Sequence, residues 1–152
     1  MVKVYLDTCC YNRPFDDLDQ HILGYEAVAI EYIEEMIKQE KINLVHSFIL
    51  QYEIDNNPSY YKRKRIAGVV ECAVEFVSEE YAEAIDLISV PIMATGVKQK
   101  DAYHVASALY THCDFFITTD KRLLKYKTDD IIITSPIKFF DYWRDDNESG
   151  YE

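Results

Sequence analysis

Val2, Val4 and Leu6 alternate with Lys3 and Tyr5, the period-two pattern of a strand, and the run stops at Asp7-Thr8. The stretch from Thr8 to Asp17 contains Asn12, Pro14, Asp16 and Asp17 and reads as a loop ending in turn formers. From Asp19 to Gln39 the period changes. Ile22, Ala29, Ile33, Met36 and Ile37 fall on one helical face, and Glu31, Glu34 and Glu35 lie away from it. Ile42 to Val45 reads as a second strand ending at His46-Ser47, with Ser47 placed to cap the next helix. Asn56-Asn57-Pro58-Ser59 breaks that helix, and another is predicted from Ser59 to Val77, where Ile66, Val69, Val70, Ala73, Val74 and Val77 recur at the helical period. Ser78 caps a shorter helix to about Leu87, and Pro91 marks a connection.

Asp101 to Leu109 forms a further helix, with Ala102, Val105, Ala106 and Leu109 as its packing stripe. Phe115-Phe116-Ile117 is an unbroken apolar run, as in a central parallel strand, and it ends in Thr118-Thr119-Asp120. Lys121 to Tyr126 reads as helical, Ile131 to Thr134 as a last strand, and Ser135-Pro136 as a helix start with Pro in its first position. Alternating strands and helices with right-handed crossovers give an α/β fold, a three-layer α/β/α sandwich around a parallel sheet of about four to five strands. The expected organisation is one domain over 1–144 and an acidic, frayed tail over 145–152.

The chain has 152 residues, 49% of them hydrophobic, enough for a packed core and too apolar for a disordered chain. No apolar run approaches the roughly 20 residues of a membrane span, and the N-terminus lacks the basic and apolar regions of a signal peptide. A cytoplasmic protein without membrane contact is expected. Cys9, Cys10, Cys72 and Cys113 have neither zinc-site nor CxxC spacing and read as small, buried or half-buried thiols.

A net charge of −11 repels polyanions, so a nucleic-acid role requires a local basic patch, a bound cation, or both. The densest basic cluster is Lys62-Arg63-Lys64-Arg65, a candidate phosphate-backbone patch whose plain alternative is a solvated helical face.

Four acids are placed to do chemistry. Asp7 and Asp120 sit at strand tips, where ligands of open α/β sheets collect, and Asp101 sits at the start of a crossover helix. Glu53 follows Ile49 by four residues and shares its face, so it must reach a rim, meet a cation or form a salt bridge. Carboxylates held together need a cation to stay ionised; their hard oxygens suit Mg²⁺ or Mn²⁺. Such an ion can activate and orient water and stabilise charge developing on a phosphodiester. His104, one turn from Asp101, is either an additional ligand or proton donor, or a packed, hydrogen-bonded histidine.

Tyr5-Leu6-Asp7-Thr8, the loop from Asn12 to Asp17, Gln51-Tyr52-Glu53, Asp101 to Ala106 and Thr118-Thr119-Asp120 together resemble the PIN domain, over roughly Val2 to Phe140. The resemblance implies an α/β/α sandwich and a Mg²⁺- or Mn²⁺-dependent endoribonuclease acting on single-stranded RNA. Many such proteins are VapC-type toxins, partnered by an antitoxin, and many form dimers. By position, Asp7, Glu53, Asp101 and Asp120 correspond to the family's acidic set. Asp7, Asp101 and Asp120 would hold metal, with Glu53 as ligand or as orienter of the attacking water. Thr119 matches the hydroxyl residue before the last acid, and Thr8 and Asn12 are supporting positions. His104 departs from the aliphatic residue common there.

The rival reading is a catalytically silent PIN fold that binds or scaffolds. A phosphatase with Asp7 as nucleophile would want a second Asp where Cys9 stands, and neither GxGxxG nor a P-loop occurs.

Overall fold

The computed structural model describes residues 1–15 and 21–145. The turn formers Asp16 and Asp17, the helix start at Asp19 and the tail over 146–152 lie outside the described residues. The chain begins with β1 (Lys3–Leu6), α1 (Thr8–Asn12), a 3-10 turn (Arg13–Phe15) and α2 (His21–Lys38). Then come β2 (Asn43–Ser47), α3 (Phe48–Asp55), α4 (Tyr60–Val70), β3 (Glu75–Val77) and a second 3-10 turn (Glu79–Tyr81). The remainder is α5 (Ala82–Met93), α6 (Gln99–Tyr110), β4 (Phe115–Ile117), α7 (Lys121–Leu124), β5 (Ile132–Thr134) and α8 (Pro136–Phe139).

The five strands form one sheet in the order β3-β2-β1-β4-β5, and every pairing is parallel. Val4 stands opposite Leu44 and Phe115, and Tyr5 opposite Val45 and Phe116. Because side chains alternate across a strand, Val4, Leu6, Leu44, Phe115 and Ile117 enter one core with α1, α2, α4 and α8. Tyr5, Val45 and Phe116 enter the other, against α5 and α6. This is the expected three-layer α/β/α sandwich.

Several local expectations are corrected. Thr8–Asn12 is not loop but a short helix, because Asp7 caps it and Cys10 and Tyr11 are buried. The helix predicted to reach Val77 ends at Val70, and Glu75–Val77 is an edge strand paired to β2. The β-branched Val74 and Val77 fit either period; here pairing with β2 prevailed, with Val77 buried and Val74 61% exposed. Pro91 does not interrupt α5 but lies inside it. The carbonyl it leaves without a partner belongs to Leu87, on the solvent side of the helix, where water can serve it. Gly96, with φ 103°, turns the chain from α5 towards α6 in a region that side-chain-bearing residues avoid.

On α2, Ile22 is exposed rather than part of the apolar face, and Glu34 is buried rather than turned to water. Arg65 reaches it, Nη2 to Oε2 at 3.7 Å, and also reaches Glu31 at 3.9 Å. Burial raises the Glu34 pKa despite Arg65, so the folded protein holds that proton more tightly than the unfolded chain. Stability contributed at this group is therefore lost as pH rises through the carboxylate range. Glu34→Gln removes the cost, and partly exposed Arg65 keeps Glu31. The variant should melt with the wild type at acid pH and gain about 1 kcal/mol at pH 7, roughly 2–4 °C. A lower melting point at pH 7 would mean that the ion pair outweighs the burial.

Candidate functional site

In a sheet of order 3-2-1-4-5 the connections diverge between β1 and β4, and the crevice beyond their carboxyl ends is the natural ligand site. Asp7 directly follows β1, and Thr118-Thr119-Asp120 directly follow β4. The Asp7 carboxylate is 5% exposed and accepts from the Thr8 amide at 2.8 Å, the Thr118 hydroxyl at 2.8 Å and the Cys9 thiol at 3.4 Å. Thr118 also accepts from the Asp120 amide at 3.0 Å, so one buried hydroxyl ties the two strand tips together. Asp120 caps α7 through the Arg122 amide at 2.8 Å.

Asp101 lies in the first turn of α6, where the helix end favours negative charge. Its pKa is nonetheless raised, first by burial and then by the charges of Asp7 and Asp120. The charges of two acids at the strand tips thus reach Asp101, and Lys98 partly opposes them. Among the described residues none of the three acids forms an ion pair.

Glu53, from α3, is differently placed. Its Oε1 accepts from His104 Nε2 at 2.8 Å and pairs with Lys100 Nζ at 3.4 Å, while its Oε2 accepts from the Thr8 hydroxyl. Burial pushes the Glu53 carboxyl up, but His104, Thr8 and Lys100 together bring it below its ordinary value. The imidazole is 1% exposed, and its Nδ1 meets the Tyr5 hydroxyl at 2.5 Å. Tyr5 in turn meets Ser47 Oγ at 2.7 Å, and Ser47 accepts the Leu50 amide as cap of α3.

The partners assign the tautomer of His104. An ionised Glu53 requires a proton on Nε2, which leaves Nδ1 to accept from the Tyr5 phenol and Tyr5 to accept from Ser47. Burial, first among its causes, holds the Tyr5 pKa far up, so the phenol keeps its proton. Of the two readings of His104, the packed, hydrogen-bonded one describes its geometry.

The supporting positions separate. Thr8 touches Glu53, whereas Thr119 Oγ1 accepts from Arg13 Nη2 at 2.9 Å. Asn12 ends α1, half-buried, and makes no hydrogen bond with the four acids among the described residues. The sequence reading missed Thr118, Cys9, Tyr5, Ser47 and Lys100. The doubled threonine before Asp120 signalled a hydroxyl there without saying which one turns inward. Cys9 is held below its ordinary pKa by hydrogen bonding from Cys10, against burial and the Asp7 charge.

The Lys62–Arg65 cluster on α4 is largely engaged within the protein. Arg65 binds Glu31 and Glu34, and Arg63 donates to the Asn57 carbonyl. Lys62 and Arg65 lie over the Phe15 ring at 5.4 and 5.2 Å, and Lys64 over Tyr60 at 6.0 Å.

Carboxylate oxygens are the hard donor type that Mg²⁺ and Mn²⁺ take. Asp7, Asp101 and Asp120 offer carboxylate oxygens and form no ion pair among the described residues, whereas Glu53 is already paired with Lys100 and hydrogen-bonded by His104 and Thr8. Among the described residues no three Asp, Glu, His or Cys side chains form a ready-made cage.

No protein-family model matches the chain, and no curated protein does. Solved structures do. VapBC2 from Rickettsia felis bound to a DNA fragment from its promoter is 10% identical, covering 88% of this chain and 98% of that one, with a TM-score of 0.54. FitAcB from Neisseria gonorrhoeae is 15% identical over 88% of this chain and 98% of that one, TM-score 0.56. FitAB bound to the IR36 DNA fragment is 16% identical over 88% and 94%, TM-score 0.53. At such identities the likeness is one of fold.

Proposed function

We propose that this protein is a PIN-type endoribonuclease that hydrolyses single-stranded RNA with Mg²⁺ or Mn²⁺, and that it is the toxin of a toxin–antitoxin pair. The observation that carries the reading is the repulsion of Asp101 by the charges of Asp7 and Asp120 at the carboxyl end of the sheet, which with burial keeps its carboxyl above the ordinary value although Lys98 opposes it. These three residues would hold the ion. When bound, the ion supplies a polarised water and compensates charge developing on the phosphodiester.

The chain's own groups do the rest. Thr118 and the Thr8 amide fix the Asp7 carboxylate, and Asp120 is held by the start of α7. Glu53, kept ionised and clamped by His104 and Thr8, is positioned to orient water or take up a proton rather than to ligate. The likeness in fold to the VapBC and FitAB complexes supports an antitoxin partner. So does an exposed apolar strip of Ile22, Tyr25 and Val28 on α2 beside Ile137 on α8, a surface suited to a protein partner. Among the described residues no helix is long and apolar enough to cross a membrane.

The test is cleavage of end-labelled single-stranded RNA during Mg²⁺ and Mn²⁺ titration. Activity should vanish in EDTA, return on re-adding metal and be lost in Asp101→Asn. Cleavage that persists in EDTA, or at the wild-type rate in Asp101→Asn, overturns the proposal. The silent binding reading draws support from the lack of a ready-made three-ligand cage and expects RNA bound but never cut.

A further inference from the structure

A cleft of about 390 Å³ opens beside the acids, between the α5–α6 turn and the segment that follows β4. Asp101 and Asp120 line it, and so do Lys98, Arg122, Lys125 and Lys127, all four exposed. In a chain of net charge −11 with 16 basic residues, a quarter of the cations border one cleft. None of the four forms an ion pair among the described residues, although two carboxylates share the cleft with them. Tyr126 adds an aromatic ring to the same wall. Gly96, through its left-handed turn, sets the opposite lip.

We infer that this cleft, not the α4 cluster, binds the sugar–phosphate backbone of a single RNA strand and delivers a phosphate to Asp101 and Asp120. The identity of the strand as RNA rests on the nuclease reading; the cleft as a phosphate-backbone site rests on its own cations. Free lysines and an arginine along a groove attract phosphates and release counterions, and an aromatic face accepts an unstacked base. Cations and an aromatic together are the signature of a single-strand site, because bases of a duplex stay stacked. The acids at one end would repel a polyanion without the flanking positive charge, so the cleft also explains how so acidic a chain admits RNA. By contrast the α4 cations are already engaged with Glu31, Glu34, Phe15 and Tyr60.

The experiment is fluorescence anisotropy of a labelled single-stranded RNA with full-length protein in EDTA, where metal-dependent cleavage cannot interfere. The combined variant Lys98→Ala, Arg122→Ala, Lys125→Ala, Lys127→Ala should bind more weakly and lower the slope of log K against log salt by about 2–3. The combined variant Lys62→Ala, Arg63→Ala, Lys64→Ala, Arg65→Ala should leave that slope unchanged. Tyr126→Ala should weaken binding about fivefold or more, and Tyr126→Phe should restore it. Should the cleft variant mis-fold, as circular dichroism would reveal, the single charge reversals Lys98→Glu and Lys127→Glu serve in its place. An unchanged slope in a folded cleft variant, or a slope lost only in the α4 variant, overturns the inference. Equal competition by duplex RNA overturns the single-strand assignment. Failure of the nuclease reading shows separately, as slope-dependent binding without cleavage in any metal.

Discussion

Asp7→Asn is expected to lower RNA cleavage by about 10²–10³-fold, the scale for removing one preorganised electrostatic contact from an active site. The substitution keeps the shape of the side chain; its one oxygen accepts from the Thr8 amide, and its new NH2 group meets Thr118, whose hydroxyl can turn to accept, so the strand tip stays folded. What changes is the Asp7 charge, which after burial does most to raise the pKa of Asp101. Asp101 should therefore titrate lower in the variant, towards the ordinary carboxylate range. In the absence of metal the variant loses a like-charge repulsion and should melt at or above the wild type. Mg²⁺ or Mn²⁺ at about 100-fold above Kd should stabilise the wild type by about 2.7 kcal/mol, roughly 5–10 °C, and the variant far less. Kinetics and thermal melts with and without metal check both halves. A variant that gains as much from metal as the wild type would remove Asp7 from the ion's surroundings.

Removing His104 should have the largest effect on stability. His104→Leu fills most of the space but leaves the Tyr5 hydroxyl and Glu53 without the partner each now has. Loss of a fully buried hydrogen-bonding ring, with polar groups stranded on both sides, costs about 2–4 kcal/mol, or roughly 4–16 °C in melting temperature. Adding Tyr5→Phe to that variant removes one stranded group and should recover part of the loss. In the wild-type protein, nitrogen NMR of the imidazole should find the proton on Nε2. Tyr5→Phe takes away the donor to Nδ1 and should shift that nitrogen's resonance. A variant His104→Leu that melts with the wild type, or a proton found on Nδ1 alone, would refute the assigned network.

The acids were legible because the fold rule needs little more than order. Val2 to Leu6 and Phe115 to Ile117 show by composition alone that they are buried strands, and parallel strands bring their carboxyl ends to one side. Asp7 and Asp120 therefore had to lie near each other. Element boundaries were less legible where one residue set satisfies two periods. Ala73, Val74 and Val77 continue a helical stripe, yet Val77 fits an edge strand equally well, and only the open edge of β2 decides between them. Glu34 looked like a surface residue because nothing nearby in the chain reports Arg65, thirty-one positions away, which partners it.

The amino-acid order by itself determined the layer architecture and put Asp7 and Asp120 just beyond the carboxyl ends of neighbouring parallel strands. Those properties follow from alternation along strands and from the direction of parallel connections, both local. Only the tertiary structure decided the role of each polar group. It turned Thr118 rather than Thr119 towards Asp7, bound Glu53 to His104 and Lys100, occupied the α4 cations, and left Lys98, Arg122, Lys125 and Lys127 bordering a cleft. Charge and hydrogen-bond partners are set by distances of a few ångströms between segments far apart in the chain, and no local pattern encodes those distances.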